Sequence, residues 1–319
     1  MPLWANAVFQ GGGVKAIGLV GALTVAEQRG YRWRRMAGTS AGAIIASLVA
    51  AGYTAEEIRR VIEELDYTLF TEPGAWHLLP YIGPVARLWI KKGLYSGKEI
   101  ERWLDDLLRQ KGVHTFADLK AGTLQIVVSD ITRGRLVVLP EDLKLYGLSA
   151  VDLPVARAVR MSCGIPFFFD PIVLYSRSEP KRNYMVDGGV LSNFPLWLFD
   201  EEAPKWPTFG FRLVSEDGEA APHEIRGPFS LFRALFQTMM DAHDTRHLEE
   251  QDKVRTILVP SLGVKSTDFH ITPEKSAALF DAGKKAAEKF FRQWDFQQYL
   301  KNFHGKVVVT INRRQNKLP

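Results

Sequence analysis

Twice near the start of the chain, an apolar stretch breaks at a run of small residues and resumes at helical spacing. That order confines the region to strand, tight turn and helix. Leu3 to Phe9 reads as a strand, Gly11-Gly12-Gly13 as its break, and Val14 to Arg29 as a helix carrying Ile17, Leu19, Val20, Leu23 and Val25. Arg32 to Ala37 then leads through Gly38-Thr39-Ser40-Ala41-Gly42 into a second helix to Val49, with Gly52 beyond it. Strands alternating with helices predict a predominantly parallel sheet with helices on both faces, and they place its functional loops at the carboxyl ends of strands.

The alternation continues. Thr54 and Glu57 have capping-box spacing before a helix to Leu65, and Ser96 and Glu99 repeat it before a helix to Gln110. Leu124 to Val128 and Leu136 to Leu139 read as strands around the turn at Thr132-Arg133-Gly134. Val155 to Ser162 is helix-like, whereas Ile172 to Tyr175, Tyr184 to Val186 and Phe209 to Val214 are strand-like. The polar stretch Ser215 to Gly227 is the best linker candidate. Beyond it come a helix from Pro228 to Glu250, a strand at Thr256 to Val259, a helix from Pro273 to Trp294 and an apolar run at Lys306 to Thr310. The expected organisation is an α/β/α unit over 3–214, a cap or insertion at 66–95, and a mostly helical C-terminal extension over 215–319 packed on it.

With 319 residues, 46% of them hydrophobic, the chain can build a large core, which excludes a disordered or collagen-like molecule. Lys and Arg number 41 against 36 Asp and Glu, but the resulting +5 is scattered along the chain; it tilts towards anionic surfaces, and no nucleic-acid partner is expected. The single Cys163 cannot close an internal disulfide, and no signal-peptide pattern opens the sequence, so a cytoplasmic location is expected. The uncharged window Met36 to Ala55 holds too many Gly, Ser and Thr for a spanning helix and reads as buried. Oligomeric state is left open.

Gly38-Thr39-Ser40-Ala41-Gly42 satisfies G-x-S-x-G between a strand and a helix, where a sharp turn needs small neighbours for its serine to stand clear. The same spacing of Gly38 and Gly42 would serve close helix packing. Gly11-Gly12-Gly13 can present backbone N–H groups either to a phosphate, with Lys15 beside it, or to a developing oxyanion. Neither nucleotide-loop pattern is met, and no cofactor is expected. A serine needs a base. His223, His243, His247, His270 and His304 follow it, none in a distinctive surround, whereas Asp187-Gly188-Gly189 puts a carboxylate at a strand end, as an ordinary Asp-Gly turn also would. His243-Asp244-Thr245-Arg246-His247 imitates a zinc motif, but a solvated helix face explains it and no metal is expected. Pro84 to Lys92 would suit either a cap helix or a lipid interface, and Phe167-Phe168-Phe169 an acyl-pocket wall or core.

Together these segments resemble the patatin-like phospholipase family over about Leu3 to Val214. Gly11-Gly12-Gly13-Val14-Lys15, Gly38 to Gly42, and Asp187 to Pro195, with Asn193 and Pro195 in place, carry the resemblance; Ser162 to Pro166 and Phe169 to Ile172 add to it. The resemblance implies a three-layer patatin-like fold and a Ser–Asp dyad without histidine. Ser40 would be the nucleophile, Asp187 its base, and N–H groups of Gly11, Gly12, Gly13 and Ala41 the oxyanion hole. Gly38 and Gly42 would shape the elbow, Gly188 and Gly189 the loop of the base. Lys15 takes a basic position that would support phosphate or the glycine loop, while Ala16 stands where a glycine is frequent. The implied reaction is metal-free hydrolysis of a lipid ester or phospholipid through an acyl-enzyme; peripheral contact with a membrane surface is the expectation only if Pro84 to Lys92 is the lipid interface. A Ser-His-Asp esterase and a non-catalytic lipid-binding protein of the same fold are the rival readings.

Overall fold

The computed structural model describes residues 3–71, 82–177, 179–214, 250–266 and 268–303, with a few positions between 225 and 239. Part of the expected cap (72–81), His223, the His243–His247 segment, His304, most of the linker at 215–227, most of the helix at 228–250 and the run at 306–310 lie outside the described residues.

A mixed eight-stranded sheet forms the centre, in the order β10-β9-β1-β2-β4-β8-β7 with β5 paired to β4. Strands β1 (Leu3–Phe9), β2 (Tyr31–Thr39), β4 (Leu124–Asp130), β9 (Thr208–Val214) and β10 (Thr256–Pro260) run parallel. The remaining strands, β5 (Arg135–Leu139), β7 (Ile172–Tyr175) and β8 (Arg182–Asp187), pair antiparallel. β1 lies inside the sheet, and Ala5, Ala7, Val8 and Phe9 are all buried, as a strand covered on both faces requires.

Helices flank this sheet. On one face lie α1 (Ile17–Gln28), α2 (Ala41–Ala50) and α6 (Val155–Ser162), together with α7 (Pro273–Gln293). α1 is apolar almost all round, because the sheet and α7 enclose it from two sides. The α1–α7 contact is close: a methyl on Gly21 would sit 2.0 Å from the Phe280 carbonyl oxygen, and one on Gly283 1.9 Å from that of Gly18. On the other face Val8 and Ala37 meet Leu196 and Phe199 of a 3-10 turn. α3 (Ala55–Glu63) and α5 (Lys98–Gln110) are amphipathic outer helices, α5 burying Ile100, Leu104 and Leu108 along one stripe. A two-stranded sheet, β3 (Gly93–Tyr95) with β6 (Phe167–Phe169), stands apart next to α4 (Ile82–Lys91), and α8 (Phe296–Phe303) follows α7.

Thr54 and Glu57 form the expected capping box on α3. The Ser96 signature does not. The N-cap of α5 is Gly97, at φ 63°, and Ser96 Oγ accepts instead from the Lys98 amide at 3.3 Å. The reason is tertiary: Arg160 donates to the Ser96 carbonyl at 2.7 Å and its guanidinium occupies the space a Gly97 side chain would need. The Phe167–Phe169 run is also divided. Phe169 is buried, Phe168 half-buried, and Phe167, whose φ of 62° takes it out of the extended conformation, is exposed.

Candidate active site

Ser40 is the residue between β2 and α2. Its backbone, φ 53° and ψ −128°, is a conformation that a non-glycine residue holds only when its surroundings impose it. Two contacts impose it here. The turn folds so tightly that a Gly38 methyl would lie 2.3 Å from the Gly42 carbonyl oxygen, and a Gly42 methyl 2.3 Å from that of Phe9. The Ser40 amide donates to Ser162 Oγ at 2.8 Å, and that hydroxyl donates onward to the Val127 carbonyl at 2.6 Å. The elbow is thereby tied to β4 through the end of α6.

Ser40 Oγ donates to Asp187 Oδ2 at 2.8 Å, and both residues are buried. Strand β4 sets this separation: β2 and β8 share the edge of β4 opposite β5, Thr39 pairing with Val127 and Asp187 with the next residue, Val128. Asp187 therefore arrives on an antiparallel strand, not at the carboxyl end of a parallel one. Its other oxygen accepts from the Gly189 amide at 2.8 Å. Gly188 lies so close to β4 that a methyl there would sit 2.3 Å from the Val127 carbonyl oxygen.

Burial pushes the Asp187 carboxyl up from 3.8 to about 7; the Gly189 and Ser40 hydrogen bonds and the Arg160 charge oppose the rise but do not cancel it. Arg160 is itself buried, donating to the carbonyls of Ser96 and Asp170 with its guanidinium 5.0 Å from the Phe169 ring centroid. Burial, reinforced by the Asp187 charge, also raises the Cys163 thiol far above its ordinary range, so it is not a ready thiolate.

The glycine turn lies against this pair. A Gly11 methyl would reach within 3.1 Å of Ser40 Cβ. The Gly11 amide, however, donates to the Asn193 carbonyl at 3.1 Å, and the Asn193 side-chain amide returns a bond to the Gly11 carbonyl at 3.4 Å. Gly11 is thus a clamp point, not an available donor, which corrects its place among the expected oxyanion donors. No described residue accepts from the Gly12 or Gly13 amides, and Ala41 opens α2, where the first N–H groups have no intrahelical partner. Gly13, at φ 56°, is held by the Ser266 carbonyl, which accepts from the Val14 amide at 3.1 Å. Lys15 is half-buried in the 3-10 turn that follows, Gly13–Ala16.

Sequence reasoning assigned no role to Ser162, to the Asn193 clamp or to Ser266. A small polar residue ending the helix before a Cys-Gly-Ile-Pro turn was the one signal for Ser162; Ser266 had none. Of the five candidate histidines only His270 is described, exposed and without a bond to Ser40, while His114, also downstream, is bonded to Asp105 and Arg109. No His, Cys, Asp and Glu cluster of metal-binding size occurs among the described residues, and no described helix is long and apolar enough to cross a membrane.

A serine on a strand-to-helix elbow, beside a buried aspartate on a mixed sheet flanked by helices, defines a class of α/β proteins built around that turn. Within it, the chain belongs to the patatin-like phospholipase family, whose profile matches residues 7–200. It is 47% identical over 295 residues to Bacillus subtilis YqhO, covering 92% of this chain and all of that one. It is 29% identical over 195 residues to a probable lipid hydrolase of Invertebrate iridescent virus 6, covering 59% of this chain and 61% of that one. The crystal structure of VipD from Legionella pneumophila shares the fold, with a TM-score of 0.56 at 19% identity over 91% of this chain and 67% of that one.

Proposed function

We propose that this protein is a lipid acyl hydrolase in which Ser40 and Asp187 act as a dyad. The observation that carries the reading is the buried 2.8 Å bond from the Ser40 hydroxyl to a carboxylate whose proton affinity burial has raised to about 7. A carboxylate of ordinary affinity is a weak base for an alcohol; one near neutrality is matched to the task. As Ser40 Oγ attacks an ester carbonyl, Asp187 takes its proton, and the carbonyl oxygen gains charge against the amides of Gly12, Gly13 and Ala41. Collapse expels the alcohol, which takes the proton from Asp187, and leaves an acyl ester on Ser40. Water then attacks that ester with Asp187 again as base, releasing the fatty acid.

Substrate reaches such a site from a lipid surface, and α4 with β6 is the face we assign to that contact. Trp89 is 83% exposed, Ile90 59% and Phe167 46%, with Lys91 and Lys92 beside them. The Arg87 guanidinium holds Asp170 at 2.7 and 2.9 Å and so fixes α4 to the turn after β6. Exposed aromatics with adjacent lysines match the headgroup layer of an anionic bilayer.

The test is fatty-acid release from a mixed-chain glycerophospholipid and from a short-chain nitrophenyl ester, in chelator. Turnover of both substrates, with Ser40→Ala and Asp187→Asn inactive though folded, supports the reading. An active Asp187→Asn would refute the assignment of the base.

A further inference from the structure

Arginine is seldom buried without a carboxylate, and two of the buried arginines here obey that rule. Asp170 holds Arg87, while Asp200 and Asp252 hold Arg255 at 2.7 and 2.6 Å. Arg160, 1% exposed on α6, forms no ion pair with any described carboxylate. Its Nη2 donates to the Ser96 and Asp170 carbonyls, and its Nη1 has no hydrogen-bond partner among the described residues. Asp170 and Glu101, whose charges reach it, are committed to other arginines: Asp170 to Arg87 through two bonds, and Glu101 to Arg157 at 3.6 Å. Burial lowers the guanidinium to about 10, which still leaves it charged at neutral pH. A buried cation in this state is expensive to keep.

The unpartnered Nη1 lies beside the strand that carries Asp187. A methyl on Gly164 would sit 3.5 Å from Nη1 and 3.6 Å from Val186 Cα, so the guanidinium and the end of β8 flank the same glycine. The Gly164 carbonyl accepts from the Asp187 amide at 2.9 Å, which fixes the carboxylate to that spot. Of the groups acting on the carboxylate, the Ser40 hydroxyl and the Cys163 thiol are neutral at ordinary pH, the thiol because burial raises it far above its usual range. Arg160 is the one cation acting on Asp187 among the described residues. Two buried, opposite charges thus stand on either side of a residue without a side chain, each lacking an ion-pair partner of its own.

We propose that Arg160 is a positioning residue for the hydrolysis, its buried charge holding Asp187 in the carboxylate form that accepts the Ser40 proton. This role rests on Asp187 being the base. Without the guanidinium, burial acts on the carboxylate with less opposition, and the base stays protonated to a higher pH.

Arg160→Gln removes the charge and keeps an amide donor for the Ser96 or Asp170 carbonyl. The acid limb of kcat/KM on the nitrophenyl ester is expected to move up by about half a unit or more, so that the loss of rate relative to wild type is about threefold larger at pH 6 than at pH 9. Urea denaturation at pH 8 reads the same coupling without turnover. Arg160→Gln should raise the unfolding equilibrium constant about threefold more in wild type than in the Asp187→Asn background, where no anion remains to be served. If Arg160→Gln is inactive at every pH, this cycle decides. A limb that stays in place while the rate falls equally at all pH, a cycle without coupling, or failure to fold in both backgrounds would make Arg160 a structural tie and overturn the proposal. An active Asp187→Asn would instead mark failure of the base itself and take this role with it; an inactive one with an unmoved limb overturns the role of Arg160 alone.

Discussion

Replacing Asp187 by Asn should abolish hydrolysis and make the protein more stable, by an amount that depends on pH. The folded carboxyl, raised to about 7, holds its proton more tightly than an unfolded one at 3.8. Between those values the folded state carries the extra proton, so stability falls as pH rises through the window, and above it the whole penalty for the buried charge is present. A rise from 3.8 to about 7 corresponds to about 4 kcal/mol, an upper bound on the gain once the charge is removed. Asn keeps the shape: its carbonyl can accept from the Gly189 amide and its NH2 can donate to Ser40 Oγ, so the charge is the main difference. The assay is urea denaturation of wild type and Asp187→Asn at several pH values between 5 and 8. The variant's advantage should be about two-fifths of its full size at pH 5 and should approach the whole by pH 8. A stability gap that stays flat across this range, or an Asn variant less stable than wild type at pH 8, would refute the claim that burial dominates at Asp187.

The same titration governs rate. With Asp187 as base, kcat/KM should fall on acidification through an acid limb near pH 7; a limb near 4 would show a base of ordinary affinity. Ser162→Ala removes the acceptor of the Ser40 amide and should lower kcat by about tenfold or more with little change in KM, read from steady-state kinetics on the nitrophenyl ester. Gly42→Ala drives a methyl into the Phe9 carbonyl and should give little soluble protein, or a midpoint lowered by several kcal/mol in denaturant. Trp89→Ala with Ile90→Ser should weaken sedimentation with anionic vesicles while leaving turnover of the monomeric nitrophenyl ester intact; unchanged sedimentation would remove α4 from the docking face.

Local chemistry explains what could be read in advance. The elbow was legible because its geometry needs small residues on both sides of Ser40, and those requirements fall within five consecutive positions. The units β1-turn-α1 and β2-turn-α2 were legible for the same reason, their signals being turn residues and helical spacing. The contacts that complete the site are not local. Ser40 meets Ser162 across 122 positions and Asp187 across 147, and no periodicity encodes which strand of a sheet lies beside which. The antiparallel direction of β8 was hidden because a short apolar run reads alike in either orientation. The failed cap at Ser96 shows local pattern overruled: the spacing was present, but the Arg160 guanidinium had taken the position the cap needed.

The crossing of α1 and α7 sets the order in which the molecule can be completed. Gly18 and Gly21 are near the start of the chain and Gly283 near its end, yet each fits only against the other helix's backbone. β10, which pairs along β9, is also made late. A nascent chain that has emerged only as far as β9 therefore holds Ser40 and Asp187 but still exposes one side of α1 and an unpaired strand edge. Ser266, whose carbonyl fixes the glycine turn, also emerges after that point. During synthesis the nucleophile and its base are thus present well before the loop beside them is secured, so a chain released early would be sticky before it could be active.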